Sequence, residues 1–237
     1  MERPRPEPPD LREHGRGTTS DRRLFMQLLV FDHCPDPAIL GEAVQRAAMP
    51  GVVYAEASDP LGAALLTASE EPADFVDKLR PVLALPTFNA LRPRPGWAML
   101  GRTYCLGYET DLEDVLLRRP IRHAFHDDWH WAVWYPLRHS GAFAKLPADQ
   151  QRTILAEHGT IGMSFAARGD VSDVRLACHG LDAQDNDFVI GLIGERLAPL
   201  SKLVETMRKT EQTSTYLDRL GPFFVGRKIW QSPPPTW

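Results

Sequence analysis

The sequence predicts an α+β fold made of two tandem ferredoxin-like repeats with antiparallel sheets, of the dimeric α/β-barrel type. Three observations lead to this prediction. The chain has 237 residues, enough for two modules of roughly 100 residues each. Short apolar runs alternate with segments of helical periodicity, and the order strand–helix–strand–strand–helix–strand can be assigned twice. No repeat is visible residue by residue, so the predicted duplication concerns architecture alone.

The elements follow from local patterns along the chain. The apolar run Leu24–Phe31 has strand length, and Asp36 followed by Pro37 is a typical helix start. An acidic first turn with an early proline, Glu71–Asp74, begins a second helix. The strands predicted for the first half are 24–31, 51–58, 62–68 and 97–108. In the second half the patterns predict strands at 129–137, 174–178, 188–194 and 223–229, and helices at 147–165 and 199–217.

These elements divide the chain into four predicted segments. Residues 1–22 are rich in proline and charge and have almost no apolar periodicity, which is typical of a disordered tail. The N-terminal repeat is expected at 23–120 and the C-terminal repeat at 121–230. Residues 231–237 contain three consecutive prolines and form a second, short tail.

Composition excludes several classes of function. The net charge of -4 argues against a broad surface for nucleic acid or anionic membrane. Three widely spaced cysteines outside any CxxC pattern indicate neither a disulfide framework nor a zinc ribbon. No apolar run is long enough to span a bilayer, and the N-terminus has no apolar leader. We therefore expect a cytoplasmic protein that binds neither membranes nor nucleic acid.

Three side chains on separate elements of the second half suit a haem iron. His158, near the end of the predicted helix, offers a neutral imidazole as iron ligand, and Glu211 offers a carboxylate for its second N–H. Arg175, on a strand of small apolar residues, can orient a bound anion. Each residue also has a plainer explanation: a helix-dipole contact for His158, a surface salt bridge for Glu211, and a solvent-facing position for Arg175.

Two further clusters lie near the junction of the repeats. Three histidines and two aspartates within eight residues offer ligands for zinc or non-haem iron, although spacing alone is weak support. They are His123, His126, Asp127, Asp128 and His130. On the strand that follows, period-two alternation places Trp129, Trp131 and Tyr135 on one face and Trp134 on the other, which favours packing roles.

Residues from Trp134 to Gly226 resemble the C-terminal, haem-binding half of the chlorite dismutase family, which also contains the coproheme decarboxylases. No single motif is specific, but the order and spacing of the set are. The matching pieces are Tyr135-Pro136-Leu137, Leu146-Pro147, Glu157-His158-Gly159, Gly180-Leu181-Asp182, Met207 to Glu211, and Phe223 to Gly226. The N-terminal half resembles the family's haem-free repeat in layout only.

The resemblance implies a role for each matched residue. His158 is similar to the proximal iron ligand and Glu211 to its hydrogen-bond partner. Tyr135 is similar to a tyrosine near a haem propionate, which becomes the radical in some decarboxylases. His139 stands where decarboxylases tend to carry a lysine close to the propionate, and Phe143 stands where a haem-lining tryptophan is usual.

The distal position departs from the family pattern. The family carries its distal arginine or glutamine thirteen residues after the proximal histidine, where this chain has Val171. A four-residue insertion within 167–173 would bring Arg175 into register, whereas counting back without gaps from Gly180 selects Asp173. An aspartate could not stabilise an anion in the same way.

The resemblance implies three alternative functions. The leading one is a haem b-dependent oxidoreductase that acts on a small oxidant, chlorite or hydrogen peroxide, through a ferryl intermediate. Here His158 is the ligand, and Arg175 and Tyr135 are the catalytic residues. The second is a coproheme decarboxylase with the porphyrin as substrate, and the third is a haem-binding protein without turnover. A homo-oligomer is expected, because exposed sheet edges usually need cover.

Overall fold

The computed structural model describes residues 8–235, and it is an α+β fold with a large antiparallel sheet. This class was predicted from the sequence. Among the described residues no helix is both long and apolar enough to cross a membrane.

From residue 8 onward, the first half contains seven strands and two α-helices. The strands are β1 (Glu13–Gly15), β2 (Thr18–Ser20), β3 (Phe25–Asp32), β4 (Gly51–Glu56), β5 (Ala63–Ser69), β6 (Arg92–Pro93) and β7 (Met99–Arg102). The helices are α1 (Ala38–Ala47) and α2 (Arg80–Leu83), and a π-helical turn, Phe75–Leu79, leads directly into α2.

A second π-helical turn, Asp114–Arg118, leads into α3 (Arg119–Ala124) and connects the halves. The second half contains strands β8 (Trp131–His139), β9 (Ser172–Ala177), β10 (Phe188–Gly194), β11 (Leu217–Leu220) and β12 (Phe224–Gln231). Its helices are α4 (Gly141–Ala144), α5 (Ala148–Ala166), α6 (Leu197–Met207) and α7 (Glu211–Tyr216).

Eight strands of the large sheet close into a ring. Neighbouring strands follow the order β10-β9-β7-β3-β5-β4-β12-β8, and β8 pairs again with β10. One edge of β8 is covered by β10, and the other edge is shared by β12 and β11. Closure removes the free edges at which an open sheet could pair with other chains. The seam between β7 and β9 is narrow, with Arg102 opposite Ala177 as its only register pair.

Side chains alternate between the interior of the ring and its outer face. On β3, Met26, Leu28 and Val30 point inward, while Phe31 packs outward against α1 and α2. Because β3 is covered on both faces, its sequence is apolar almost without interruption. The largest fully buried interior side chains are Trp134, Tyr54 and Phe224. A third cluster lies on the outer face of β8 and β10, beneath α5 and α6.

The prediction of a disordered N-terminal tail is wrong for part of that segment. Residues 13–20 form the hairpin β1–β2, and Glu13 accepts a hydrogen bond from Arg102 at 2.8 Å. The polar composition therefore marks a surface hairpin held by ion pairs. Residues 1–7 lie outside the described part of the chain.

Two predicted boundaries also change. The strand predicted at 97–108 ends at Arg102, because the Glu109 carboxylate accepts the N–H groups of Leu106 and Gly107 and forms a turn. The C-terminal strand extends to Gln231, and Ser232 is buried and hydrogen bonded to Gly51. The predicted tail from 231 therefore begins after the sheet ends, and the boundary between the two repeats stays a prediction.

Closure of the ring depends on a glycine at the narrow seam. A Cβ at Gly101 would lie 2.7 Å from Leu176 Cβ and 3.1 Å from the Ala177 carbonyl oxygen. We expect Gly101→Ala to lower the free energy of unfolding by about 1–3 kcal/mol, the usual cost of overpacking. Gly141→Ala is the matched control, because a Cβ there meets nothing within 4 Å. Urea denaturation measures both variants, and equal stability of the two would contradict the close approach at the seam.

Candidate functional site

The candidate site lies on the outer face of β8, β9 and β10. In register, Tyr135 on β8 is opposite Ile190 on β10, and Ile190 is opposite Arg175 on β9. These three side chains therefore form one row across three strands. The next row holds Leu137, Phe188 and Ala177. Apart from Arg175, this face of the sheet is apolar or aromatic at both rows.

Helix α5 covers this face loosely. Its inner stripe is Ile154, His158, Ile161 and Phe165 at helical spacing, but only Ile154 is buried. The helix packs against α6 and α7. A nineteen-residue helix with one buried side chain gains little from core packing.

His158 is half-buried on the inner stripe of α5. Its Nδ1 lies 3.5 Å from Thr210 Oγ1. Burial lowers the pKa of His158, and the nearby Glu157 carboxylate opposes this shift. The imidazole is therefore neutral near pH 7, the form in which histidine binds a metal.

The predicted contact between Glu211 and His158 is not formed. Thr210 caps the N-terminus of α7 by accepting the N–H of Thr213, and this places its hydroxyl at His158. Glu211 follows in the first turn, where its own N–H donates to Glu157 Oε2 at 3.0 Å. The sequence predicted one helix over 199–217, but α6 ends at Met207 and the chain restarts at the Thr210 cap. This break directs Thr210 rather than Glu211 toward the imidazole.

Arg175 and Asp173 occupy the same face of β9. They are two residues apart on a strand, so alternation directs both outward. Arg175 Nε lies 3.2 Å from Asp173 Oδ2, and both side chains are about two-fifths exposed (41% and 45%). The two residues are therefore not alternatives for the position that faces the site, because both face it as an ion pair.

The outer end of β8 carries His139. Its Nδ1 lies 3.4 Å from Asp187 Oδ2, and its Nε2 lies 3.0 Å from Gln212 Nε2. The ring stacks on Phe143 with centroids 4.4 Å apart, and Phe143 is buried in α4. His139 and Phe143, which were predicted as cofactor-binding residues, are thus in direct contact with each other.

Tyr135 and Tyr104 approach the site from different halves of the chain. Tyr135 is buried and stacks on Phe223 at 4.6 Å, and burial raises its pKa above the ordinary value. Tyr104 packs on Phe188 at 5.3 Å; burial raises its pKa, and the nearby Arg175 opposes this shift. Sequence reasoning missed Tyr104 because no local pattern links the loop after β7 to strands of the other half.

The family model described as chlorite dismutase matches residues 118–229. Residues 118–229 belong to the chlorite dismutase family.

Solved structures extend the likeness to the fold of most of the chain. One match is a protein provisionally named a chlorite dismutase, with TM-score 0.71, 12% identity, and coverage of 88% of this chain and 96% of that one. A variant chlorite dismutase from Candidatus Nitrospira defluvii gives TM-score 0.69 at 14% identity, covering 89% and 93%. A novel heme-binding protein from Thermus thermophilus gives TM-score 0.67 at 18% identity, covering 88% and 92%. At these identities the likeness concerns the fold.

The histidine cluster at the junction does not form a metal centre. Among residues 8–235 no group of three or more histidine, cysteine or acidic side chains could hold a metal ion. His123 Nδ1 donates to the Asp173 carbonyl oxygen at 2.7 Å, while His126 stacks on Trp129 at 3.9 Å. The segment therefore anchors the connector between the two halves of the chain to β9.

We expect the ion pair on β9 to restrain anion binding. Asp173→Asn should free Arg175 and strengthen binding of a small anion, such as nitrite, by up to about fivefold, because an exposed pair contributes up to about 1 kcal/mol. Arg175→Ala should weaken it. Anion titration by calorimetry in each variant measures the effect, and weaker binding by Asp173→Asn would contradict this arrangement.

Three half-buried histidines, two in the candidate site and one in the connector, make stability depend on pH. Burial lowers the pKa of His123, His139 and His158 from the ordinary 6.5, so the unfolded chain binds protons more readily than the folded one. The contribution of these histidines to the free energy of unfolding should be fully present above pH 6.5. It should be lost as the pH falls through their lower pKa values in the folded state. Urea denaturation from pH 8 to 5 measures the slope. A His123→Gln variant with the wild-type slope would show that His123 makes no contribution to it.

Proposed function

We propose that this chain binds a haem on the outer face of β8, β9 and β10, with His158 as iron ligand, and acts as an oxidoreductase on chlorite or hydrogen peroxide. The main support for this proposal is that a half-buried, neutral imidazole lies over an apolar sheet face. The same face presents Arg175 and Tyr135 in one row. The family of residues 118–229 and the heme-binding structural relative support the same assignment.

The residues present fit a haem. His158 Nδ1 faces Thr210, and within the described chain Nε2 has no hydrogen-bond partner, which suits it to an iron. The walls are apolar, with Tyr135, Ile190 and Phe223 among them. Arg208 lies over the Phe223 ring at 5.7 Å and offers a cation for a propionate. An apolar sheet face with one neutral imidazole above it and cations at its border offers the groups that a haem requires.

A bound haem would supply redox-active iron with an open coordination position for the oxidant. The protein's own side chains would prepare that reaction. Thr210 would accept the Nδ1–H of His158 and hold the ring in one tautomer; a hydroxyl is a weaker acceptor than a carboxylate and would leave the imidazole less anionic. Arg175, once released from Asp173, would orient the oxidant and stabilise negative charge developing on its oxygen.

A specific observation also favours the second candidate, a coproheme decarboxylase. Tyr135 is buried on the site face and stacked on Phe223, the ring that Arg208 also overlies. In this alternative the porphyrin is the substrate, hydrogen peroxide the oxidant, and Tyr135 the residue that is oxidised beside the propionate. The Asp173 carboxylate, which neutralises Arg175, would then matter less, because no external anion has to be held.

The deciding experiment is an absorbance titration of the purified protein with haem b and, separately, with coproheme. We expect saturable one-to-one binding with a Soret shift, and its loss in His158→Ala. His126→Ala is the control, because that ring is stacked on Trp129 away from the site. Unchanged Soret absorbance in His158→Ala would overturn the ligand assignment.

Addition of oxidant to each complex then separates the candidate functions. Consumption of chlorite or peroxide by the haem b complex, slowed at least tenfold in Arg175→Ala, would support the oxidoreductase. Loss of propionate carboxyl groups from coproheme, seen by mass spectrometry and abolished in Tyr135→Phe, would identify the decarboxylase. Binding without either reaction would leave a haem-binding protein and refute both enzymatic proposals.

A further inference from the structure

We propose that His139, Asp187 and His179 form a proton relay between solvent and the edge of the candidate site. His139 is its inner end, Asp187 its centre and His179 its outer end. The inference rests on the proposed function only for the identity of the group that releases the proton, since the relay itself consists of this chain's own side chains.

The three groups are connected through one carboxylate. Asp187 Oδ2 lies 3.4 Å from His139 Nδ1 and accepts the backbone N–H of His139 at 2.7 Å. Its other oxygen, Oδ1, lies 3.3 Å from His179 Nδ1. Asp187 therefore lies between two imidazoles, with one carboxylate oxygen next to each ring.

Exposure increases from one end of the relay to the other. The side chain of His139 is 13% exposed, that of Asp187 25%, and that of His179 57%. Both rings also touch Phe188, whose centroid is 5.7 Å from His139 and 5.3 Å from His179. The path thus runs past the Phe188 ring, from solvent at His179 to the less exposed His139.

The inner end is built for an imidazole that accepts a proton. With Nδ1–H directed at Asp187, the Nε2 lone pair of His139 faces the Gln212 side-chain amide N–H at 3.0 Å. Gln212 is buried, 6% exposed, and within the described chain its Oε1 has no hydrogen-bond partner. A buried amide oxygen without a donor is costly, so this position suits a water or ligand that carries a proton.

The proton balance is simple. An acid in the site, such as hydrogen peroxide, gives its proton to His139 Nε2 as the Gln212 amide turns. The amide N–H then leaves Nε2, and Oε1, which lacked a donor, accepts the new Nε2–H. The imidazolium then passes its Nδ1 proton to Asp187, which passes it to His179 and solvent. No electrons move, and each step breaks one bond to hydrogen and forms another. The carboxylate stabilises the intermediate imidazolium.

The electrostatic surroundings of His139 agree with this role. Burial lowers its pKa, the Asp187 carboxylate opposes this shift, and His179 adds to it. The pKa of His158 on α5 is also lowered by a positive charge on His139. Neighbours from α4, α7 and β10 are Phe143, Gln212 and Phe188, none of which titrates. The adjacent Arg138 is held by Asp185 at 3.0 Å.

The first test uses the protein without haem and follows His139 by nitrogen-15 nuclear magnetic resonance across pH. Asp187→Asn should lower the pKa of His139, and His179→Gln should raise it. Asp185→Asn is the matched control, since it also removes one negative charge. Asp185 lies two residues before Asp187, is exposed, and pairs with Arg138. An unchanged His139 titration in both Asp187→Asn and His179→Gln would overturn the relay.

The second test measures proton movement itself. Exchange of the His139 ring N–H with water should slow severalfold in His179→Gln, whose exposed side chain can change without disturbing the core, while Asp185→Asn should leave it unchanged. Equal exchange rates would refute a path through His179. Because both tests need no haem, failure of the relay is distinguishable from failure of the haem proposal.

Discussion

The whole structure depends on the pairing of β8 with three other strands. Its one edge carries β10, and its other edge carries β12 and then β11, so β8 closes the ring and joins the two halves. Because the side chains of β8 alternate between two faces, the strand contributes to both the core and the candidate site. Trp134 fills the interior, while Tyr135 and His139 face the candidate site. A register shift of one residue would exchange these two sets of side chains and abolish both the core and the site.

The outer face of the sheet carries few charged groups, and this determines the electrostatics of the site. Arg175 and Asp173 compensate each other at its exposed border, and the histidines remain neutral because burial disfavours their charged forms. The Asp187 carboxylate favours the charged form of His139 and partly offsets the effect of burial on its pKa. Such a surface suits the haem and the proton relay that we propose.

Much of the fold could be predicted because its signals are local. The apolar run of β3, the helix start before α1 and the proline preceding α5 each reflect steric or hydrogen-bonding preferences of a few neighbouring residues. The elements that were mispredicted depend on distant partners. The hairpin β1–β2 is held by Arg102 from β7, and the Thr210 cap of α7 was hidden by continuous helical periodicity.

The sequence by itself determined the α+β class, the order of the main elements and the family of residues 118–229, since these depend on periodicity and on the spacing of short motifs. Only the tertiary structure decided that Thr210 rather than Glu211 meets His158, that Asp173 and Arg175 share one face, and that His139 and His179 meet at Asp187. These contacts join residues from different elements, and side-chain hydrogen bonds act over about 3 Å. A difference of one residue in where a helix begins is enough to exchange one partner for another.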